Sequence, residues 1–451
     1  IYNPAERVNE DFLQAYHGGG ALWDVIGVGN VALGGDSIAW TALRTAARRD
    51  LTIRTNYLDV AARMDLENFV DYLLPHLWSD NDDWPHNNTR AARERVPGSK
   101  FRFYPWDAEF SFGSHGVSYD TIANTLSSTS PPWGTTDYQQ LFNSLKRSPE
   151  FRLLFADRVH RAFFNDGPLT DERIRATYTA LRARLSPSIS GFSDVITPWI
   201  NGRRRHMTNA FQKAGFLASS NAPVLNVFGG RVVDGTRLTM TRRSGIIWYT
   251  TNGNDPRIPF SSAVSSEALR YADALSLRPP LRIRARTLDG TNWSALTSAD
   301  FQAAAAPRPV VFSEIQYNPV GGDAYEFLEL WNPGTTPVDL SGHQFSGITF
   351  RFPSQRAILA AGTRFVLGNG TRPDLFRQRH PGTAVFGWYE GSLSNGGERL
   401  ELRDAAGRLV AAAGYGDSPP WPRSADGGGS SLEFRDPSAD PGDPTAWTAG
   451  A

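Results

Sequence analysis

Residues 78–88 of the chain read WSDNDDWPHNN, and residues 101–113 read FRFYPWDAEFSFG. Carboxylate and amide side chains crowd both segments. In front of the first segment, apolar residues recur at every fourth position after Asp65, which predicts a helix capped by Asp65. In the second segment, aromatic residues alternate with others up to Pro105, which predicts a strand that ends there. The acidic residues are therefore expected at a helix end and just past a strand end.

The spacing of three polar residues in these segments indicates a magnesium–phosphate site. Asn88 follows Asp83 by five positions, and Asp107 follows the predicted strand. Mg²⁺ prefers a few hard oxygen ligands and keeps room for phosphates and water. The step of five is also that of the protein-kinase catalytic loop, in which the Asp orients the attacking hydroxyl and the Asn binds magnesium.

Several motifs in the first half of the chain resemble the CotH (spore coat protein H) kinase family. They are NDDWPHNN at residues 81–88, FYPWDAE at residues 103–109, YNPAERV at residues 2–8 and WDVI at residues 23–26. The resemblance extends from the first residue to about residue 215. It implies the large, mainly helical lobe of an atypical protein-kinase-like fold, and a secreted or cell-surface location.

The resemblance also implies a role for each polar residue of the window. Asp83 corresponds to the catalytic residue, and Asn88 and Asp107 correspond to magnesium ligands. Glu109 stands where the family often has another acidic residue, and we expect it at the metal site. ATP and Mg²⁺ are the implied cofactors, and a protein hydroxyl is the implied acceptor of the γ-phosphoryl group.

Two further residues are predicted to bind the nucleotide. Glu6 belongs to the segment that the resemblance places near the hinge between two lobes, and Lys100 is expected near the phosphates. The sequence departs from an ordinary kinase at two places, because no Gly stands two residues after Asp107 and Asp82 replaces the basic residue before Asp83. These departures fit an atypical kinase and leave an inactive one open.

Composition limits the remaining classes of function. The chain has 451 residues, which predicts two to four domains, and its 46 Lys and Arg balance its 46 Asp and Glu. This balance favours neither nucleic acid nor an anionic membrane surface as a partner, and no apolar run is long enough to span a bilayer. The absence of cysteine excludes disulfides and thiolate zinc sites. Because the first residue lies inside a motif, we expect an N-terminally truncated kinase-like domain whose activity is impaired relative to the intact parent.

Two linkers, near residue 218 and near residue 306, predict a multidomain chain. Residues 1–216 are the predicted kinase-like domain. Residues 217–306 contain short strands and the motif WYTTNGNDP, and they resemble the immunoglobulin-like domain at the C terminus of chitobiases. Residues 307–451 contain FLELWN and resemble a lamin-tail domain. The predicted fold class is therefore a helical kinase-like lobe followed by two all-β immunoglobulin-like sandwiches.

Alternatives to the kinase interpretation stay open. If the kinase-like domain has lost its activity, the chain is a binding protein whose β-sandwiches contact a cell-surface or envelope component. Asp80, Asp82 and Asp83 resemble the start of an EF-hand calcium loop, although its required Gly and final Glu are absent. Four polar residues of the last domain are interpreted as strand-edge residues rather than metal ligands: Glu314, Glu326, Glu329 and Asn332.

Overall fold

The computed structural model describes residues 7–17, 22–185, 194–217, 221–304 and 308–450. The chain divides into two compact units, Ile1–Ala303 and Ala304–Ala451. Helices dominate the early part of the chain and strands its later part, so the predicted order of a mainly helical region before strand-rich regions is confirmed. The finer division into three domains stays a prediction. None of the helices in the described ranges is long and apolar enough to cross a membrane.

The first unit contains both helices and strands. Its helices are α1 (Glu10–His17), α2 (Ile38–Ala47), α3 (Arg54–Arg63), α4 (Leu66–Ser79), α5 (Asp137–Leu145), α6 (Pro149–Phe163), α7 (Asp171–Leu185) and α8 (Ile196–Lys213), with a 3₁₀ turn at Val28–Asn30 and a π-helical turn at Ile122–Leu126. Its strands are β1 (Trp23–Ile26), β2 (Ala32–Gly34), β3 (Ala91–Glu94), β4 (Arg102–Phe103), β5 (Val224–Leu225), β6 (Gly230–Val232), β7 (Arg237–Leu238), β8 (Met240–Thr241), β9 (Ile246–Thr250), β10 (Leu269–Arg270), β11 (Leu275–Ser276), β12 (Leu281–Asp289), β13 (Asn292–Trp293) and β14 (Thr297–Ala303).

Helix α4 is the central element of the helical region. As predicted, Asp65 caps it, because the Asp65 side chain accepts a hydrogen bond of 3.0 Å from the backbone N–H of Asn68. Its buried side chains, Phe69, Leu73 and Leu77 among them, join one core with residues of α2, α5, α6 and α8. The helix ends at Asp80, whose left-handed backbone (φ 52°) turns the chain into the acidic loop.

A small antiparallel sheet in the order β2-β1-β3-β4 lies beside these helices. Its register pairs Ile26 with Ala91 and Ala91 with Phe103. The acidic loop precedes β3 and the segment from Asp107 follows β4. Because β3 and β4 are antiparallel neighbours, the loop and the segment meet at one end of this hairpin.

The strands of residues 221–303 are joined to the helices by a buried ion-pair network. Strand β12 is the centre of their main sheet, which has the order β10-β9-β12-β14-β6. Arg286 of β12 is 2% exposed and donates to both carboxylate oxygens of Asp157 in α6, at 2.7 and 2.6 Å. It also donates to Asp255, which follows β9, at 2.8 and 2.7 Å. This network explains why the helices and these strands form a single compact unit.

The second unit is built mainly from strands. They are β15 (Val311–Gln316), β16 (Phe327–Trp331), β17 (Val338–Asp339), β18 (Gln344–Ser346), β19 (Ile358–Leu359), β20 (Arg364–Asn369), β21 (Val385–Tyr389), β22 (Gly397–Arg403), β23 (Leu409–Gly416), β24 (Leu432–Phe434) and β25 (Trp447–Ala449), with helix α9 (Pro373–Arg379) and 3₁₀ turns at Asp323–Tyr325, Arg423–Ala425 and Pro444–Ala446. The largest sheet has the order β21-β20-β16-β15-β24-β25, and a second one has the order β18-β22-β23. Apolar side chains of both sheets form one core.

Candidate functional site

The end of helix α4 is held in place by a buried arginine. Arg203 of α8 is completely buried and donates to the carbonyls of Leu77 at 2.6 Å and Trp78 at 2.8 Å, which belong to the last turn of α4. It also donates to the carbonyls of Val117 at 3.0 Å and Tyr119 at 2.7 Å. Arg203 therefore has a structural role, because its guanidinium satisfies carbonyls that the helix end leaves free.

Aromatic packing fixes the loop that follows α4. Trp84 is 1% exposed, its indole stacks on the His76 ring at a centroid distance of 4.8 Å, and its Nε1 donates to the Tyr72 hydroxyl at 2.7 Å. Asn81 Nδ2 lies 3.1 Å from His76 Nδ1. Burial lowers the pKa of His76 to about 4, so this histidine is neutral at pH 7 and serves as a packing group. The residue before Trp84 is Asp83, whose backbone is anchored by this packing.

The Asp83 carboxylate is half-buried and is held by its own loop. Asn88 Nδ2 donates to Asp83 Oδ2 and Asn87 Nδ2 donates to Asp83 Oδ1, each at 2.7 Å. His86 Nε2 lies 3.6 Å from Asp83 Oδ1. Asp83 therefore has a defined orientation, and in the described structure it neither caps a helix nor forms an ion pair with the nearby Arg90.

The Asn88 side chain connects the loop to the segment after β4. Besides its bond to Asp83, Asn88 Nδ2 donates to the backbone carbonyl of Asp107 at 3.2 Å. Both Asn88 (φ 53°) and Asp107 (φ 50°) adopt the left-handed backbone conformation that Asn and Asp tolerate better than most residues. Asp83 Oδ2 and the Asp107 carbonyl oxygen are both acceptors, so the amide nitrogen of Asn88 faces them. Asn88 Oδ1 therefore points elsewhere and has no protein partner in the described part of the chain.

Backbone bonds hold the segment after β4 against the loop. Asp82 N–H donates to the Phe110 carbonyl, and Phe112 N–H donates to the Ser79 carbonyl, both at 2.8 Å. The Asp107 carboxylate makes no hydrogen bond or ion pair with any residue that the structure describes, and Glu109 is exposed. Asp83, Asn88 and Asp107 are therefore brought together, with Asp107 contributing its carbonyl to the network and keeping its carboxylate free.

The two predicted nucleotide contacts have different outcomes. Glu6 lies outside the described residues. Lys100 is exposed and lies in the connection between β3 and β4. Asn88 precedes β3 and Asp107 follows β4, so both lie at the opposite end of the hairpin. Strand β3 alone separates these ends by roughly 10 Å at about 3.3 Å per residue. The structure therefore does not bring Lys100 to the other site residues, because the antiparallel register directs it away.

The calcium alternative has little support in the structure. Asp80 is 2% exposed, and its Oδ2 accepts from the His115 backbone N–H at 3.2 Å and lies 3.3 Å from His115 Nδ1. Within the described ranges, no group of three or more His, Asp or Glu residues is arranged to hold a metal. The loop is therefore not a protein-built calcium cage.

The donor set around Asn88 fits a magnesium ion that also contacts phosphates. Asn88 Oδ1 and the Asp107 carboxylate are hard oxygen donors without partners among the described residues. Mg²⁺ in phosphate sites is commonly bound by one or two carboxylates while substrate phosphates and waters complete its coordination. The small number of protein oxygens therefore agrees with a magnesium–phosphate site.

Comparisons with known proteins identify two regions of the chain. Residues 36–196 match the family model described as CotH kinase protein, and residues 303–417 match the one described as Lamin Tail Domain. The chain therefore contains a region similar to CotH kinase proteins and a region similar to lamin tail domains. Asp83, Asn88 and Asp107 all lie within the matched CotH kinase region. Both predicted resemblances are confirmed, while the chitobiase-like resemblance of residues 217–306 stays a prediction.

Other comparisons add little. No curated protein matches the chain. A crystal structure of a DUF4876 family protein from Bacteroides thetaiotaomicron aligns with 11% identity and a TM-score of 0.17, over 36% of this chain and 62% of that one. The alignment thus spans less than two thirds of that protein.

Sequence reasoning missed several residues that support the candidate site. Asn87 was not singled out, although its neighbour Asn88 was, and it donates to Asp83. Arg203 follows a break in α8 at Asn201 and Gly202, whose backbone is not helical, so its spacing from Trp199 gave no signal for its burial. The stacking of His86 on Trp133, at a centroid distance of 4.3 Å, joins residues that are far apart in sequence and had no signal either.

Proposed function

We propose that the chain is an atypical protein kinase that transfers the γ-phosphoryl group of ATP to a protein hydroxyl. The observation that carries this proposal is the Asn88 amide, which joins the Asp83 carboxylate and the Asp107 backbone in one network. The match of residues 36–196 to CotH kinase proteins supports it independently.

Each residue of the network has a distinct role in the proposed reaction. Asp83 orients the acceptor hydroxyl and takes its proton while the hydroxyl oxygen forms a bond to the γ-phosphorus and the bond to the β-phosphate oxygen breaks, which releases ADP. Asn88 Oδ1 and the Asp107 carboxylate would hold magnesium. Bound Mg²⁺ would neutralise charge on the phosphates. Glu109, exposed two residues after Asp107, supplies a further carboxylate near the metal ligands.

The proposed setting of this reaction is outside the cell. The CotH kinase resemblance motivates a secreted or surface location, in which the helical region is the large lobe of a kinase-like fold. The two strand-rich regions would then be immunoglobulin-like sandwiches that contact a cell-surface or envelope component. The balanced charge of the chain gives no reason to expect a nucleic-acid partner.

Replacing Asp83 tests the proposed reaction. Asp83→Asn keeps the shape of the side chain but removes its basicity, so phosphate transfer should fall by about 100-fold or more. The affinity for Mg–ATP, measured by calorimetry, should stay within about twofold because Asp83 is not a proposed metal ligand. The matched control is Asp82→Asn, an adjacent and exposed carboxylate, which should transfer phosphate at the wild-type rate. Full activity of Asp83→Asn would contradict the assignment.

A non-catalytic binding protein is the second candidate function. The observation that favours it is that both oxygens of the Asp83 carboxylate already accept amide hydrogen bonds, from Asn87 and Asn88. In that case the hydrogen bonds of the network only stabilise the conformation of the loop. Wild-type protein that binds envelope material but transfers no phosphate from ATP to any protein would favour this candidate.

A further inference from the structure

A cavity of about 350 Å³ lies next to the Asp83 loop in the first unit. One wall is the turn between β1 and β2, which contains Val28–Asn30, and the other includes His86 and the segment of Trp133–Gln140. Its floor includes Trp40, which is 1% exposed. The volume is at the lower end of the range for ligand pockets. The cavity is therefore large enough for a small segment of another molecule.

His86 connects this cavity to the proposed catalytic residue. The His86 ring lines the cavity, its Nε2 lies 3.6 Å from Asp83 Oδ1, and its face stacks on Trp133 at a centroid distance of 4.3 Å. A molecule held in the cavity against Trp133 is thus separated from Asp83 by a single side chain. This position suits the part of a substrate that flanks the reacting hydroxyl.

The charges of the lining exclude a strongly charged occupant. Arg44 Nη2 lies 2.8 Å from Asp137 Oδ1, so the positive charge of Arg44 is already balanced. Trp40 Nε1 donates to the second oxygen, Asp137 Oδ2, at 3.1 Å. A triphosphate would find no net positive charge here, whereas the neutral backbone of a peptide and an uncharged side chain meet no electrostatic penalty. The exposed face of Trp133 offers the side chain an apolar contact.

We infer that this cavity binds the acceptor polypeptide beside the phosphorylated hydroxyl, with an uncharged apolar side chain against Trp133. The inference rests on the proposed kinase function, because it assigns the cavity to the protein substrate of that reaction. The experiment that tests it measures binding and does not require phosphate transfer. The inferred substrate class is a Ser- or Thr-containing segment with an aliphatic or aromatic neighbour.

The test uses fluorescein-labelled decapeptides and the full chain. Each peptide of the first set has one Ser in a Gly background and one Phe, placed at one of the two positions before the Ser or the two positions after it. Two matched sets have Asp or Lys in place of Phe. Fluorescence anisotropy measures binding to wild-type protein and to Trp133→Ala. The control variant is Phe228→Ala, which removes another exposed aromatic side chain that does not line the cavity.

The best Phe peptide should bind wild-type protein and Phe228→Ala equally well. It should bind Trp133→Ala at least fivefold more weakly, and the Asp and Lys peptides should bind wild-type protein at least fivefold more weakly than the Phe peptide. Equal binding of all peptides, no effect of Trp133→Ala, or no saturable binding of any Phe peptide would overturn the inference. If binding follows the expected pattern but no peptide is phosphorylated, the cavity assignment holds and the kinase proposal fails.

Discussion

Two networks that each join a carboxylate to hydrogen-bond donors, one in each unit, differ in exposure. In the first unit, Asp83 and Asn88 are half-buried and the Asp107 carboxylate has no partner among the described residues. In the second unit, Glu326 is fully buried. Glu326 Oε2 accepts hydrogen bonds from Asn369 Nδ2 and the Tyr389 hydroxyl, both at 3.1 Å, and from the Leu393 backbone N–H at 3.0 Å.

Exposure decides what each network can contribute. The Glu326 network joins the start of β16 to the loop after β21, so its hydrogen bonds hold the second unit together. Burial raises the pKa of Glu326 to about 7, although its hydrogen-bond donors act in the opposite direction. The Asp107 carboxylate is free to bind a ligand and adds little to folding. We therefore expect substitutions in the first network to change activity and those in the second to change stability.

The largest expected effect is the loss of activity in Asp107→Ala. The variant removes a proposed magnesium ligand, so transfer of labelled phosphate from ATP to protein should fall by about 100- to 1000-fold. Because the carboxylate has no partner among the described residues, the free energy of unfolding should fall by no more than about 1–2 kcal/mol, which is the cost of placing Ala in the left-handed conformation of residue 107. A larger loss of stability would instead show that Asp107, like Glu326, has a structural role.

Glu326→Ala should have the converse effect. The substitution removes three buried hydrogen bonds and leaves the Tyr389 hydroxyl and the Leu393 N–H without an acceptor, so the unfolding free energy of the second unit should fall by about 3 kcal/mol. Hydrogen exchange of the β16 amides, measured by mass spectrometry, reports this loss. The matched control is Glu390→Ala, an exposed residue of the same unit, which should change the value by less than about 0.5 kcal/mol. Equal effects of the two variants would contradict the structural role of Glu326.

The raised pKa of Glu326 predicts a pH dependence with a definite sign. Between its unfolded value of 4.5 and about 7, the folded state holds a proton that the unfolded state has lost. The contribution of Glu326 to stability therefore falls as pH rises through this window, by at most about 1.4 kcal/mol per pH unit, and levels off above it. Glu326→Gln should remove this slope. An unchanged slope in that variant would show that another group causes it.

The smallest expected effect is that of Asn87→Ala. The variant removes one of two amide hydrogen bonds to Asp83, while the bond from Asn88 remains. The catalytic rate constant should fall by about two- to fivefold, as expected for a net hydrogen-bond contribution near 1 kcal/mol. A loss above about 100-fold would mean that Asn87 does more than orient Asp83.

Local sequence patterns predicted part of this site well. The helix cap at Asp65, the position of the acidic loop and the strand before Asp107 all follow from short-range rules, and each is observed. The role of the Asp107 carbonyl could not be predicted, since it depends on a left-handed backbone at that residue. The burial of Arg203 depends on carbonyls from distant segments, and the position of Lys100 depends on hairpin register. Tertiary contacts of this kind leave little trace in one sequence.

In the proposed site, Asn88 and Asp107 would hold one magnesium ion, and Asp83 would stay free of it. The most direct test measures the Mg²⁺ concentration needed for half-maximal ATP binding in Asn88→Ala, Asp107→Ala and the double variant. Each single substitution should raise this concentration by about 10-fold or more. The double variant should show less than the product of the two effects because both act on one ion, and Asp83→Asn should show no change. An unchanged Mg²⁺ requirement in the single variants, or fully multiplicative effects in the double variant, would contradict a shared metal site.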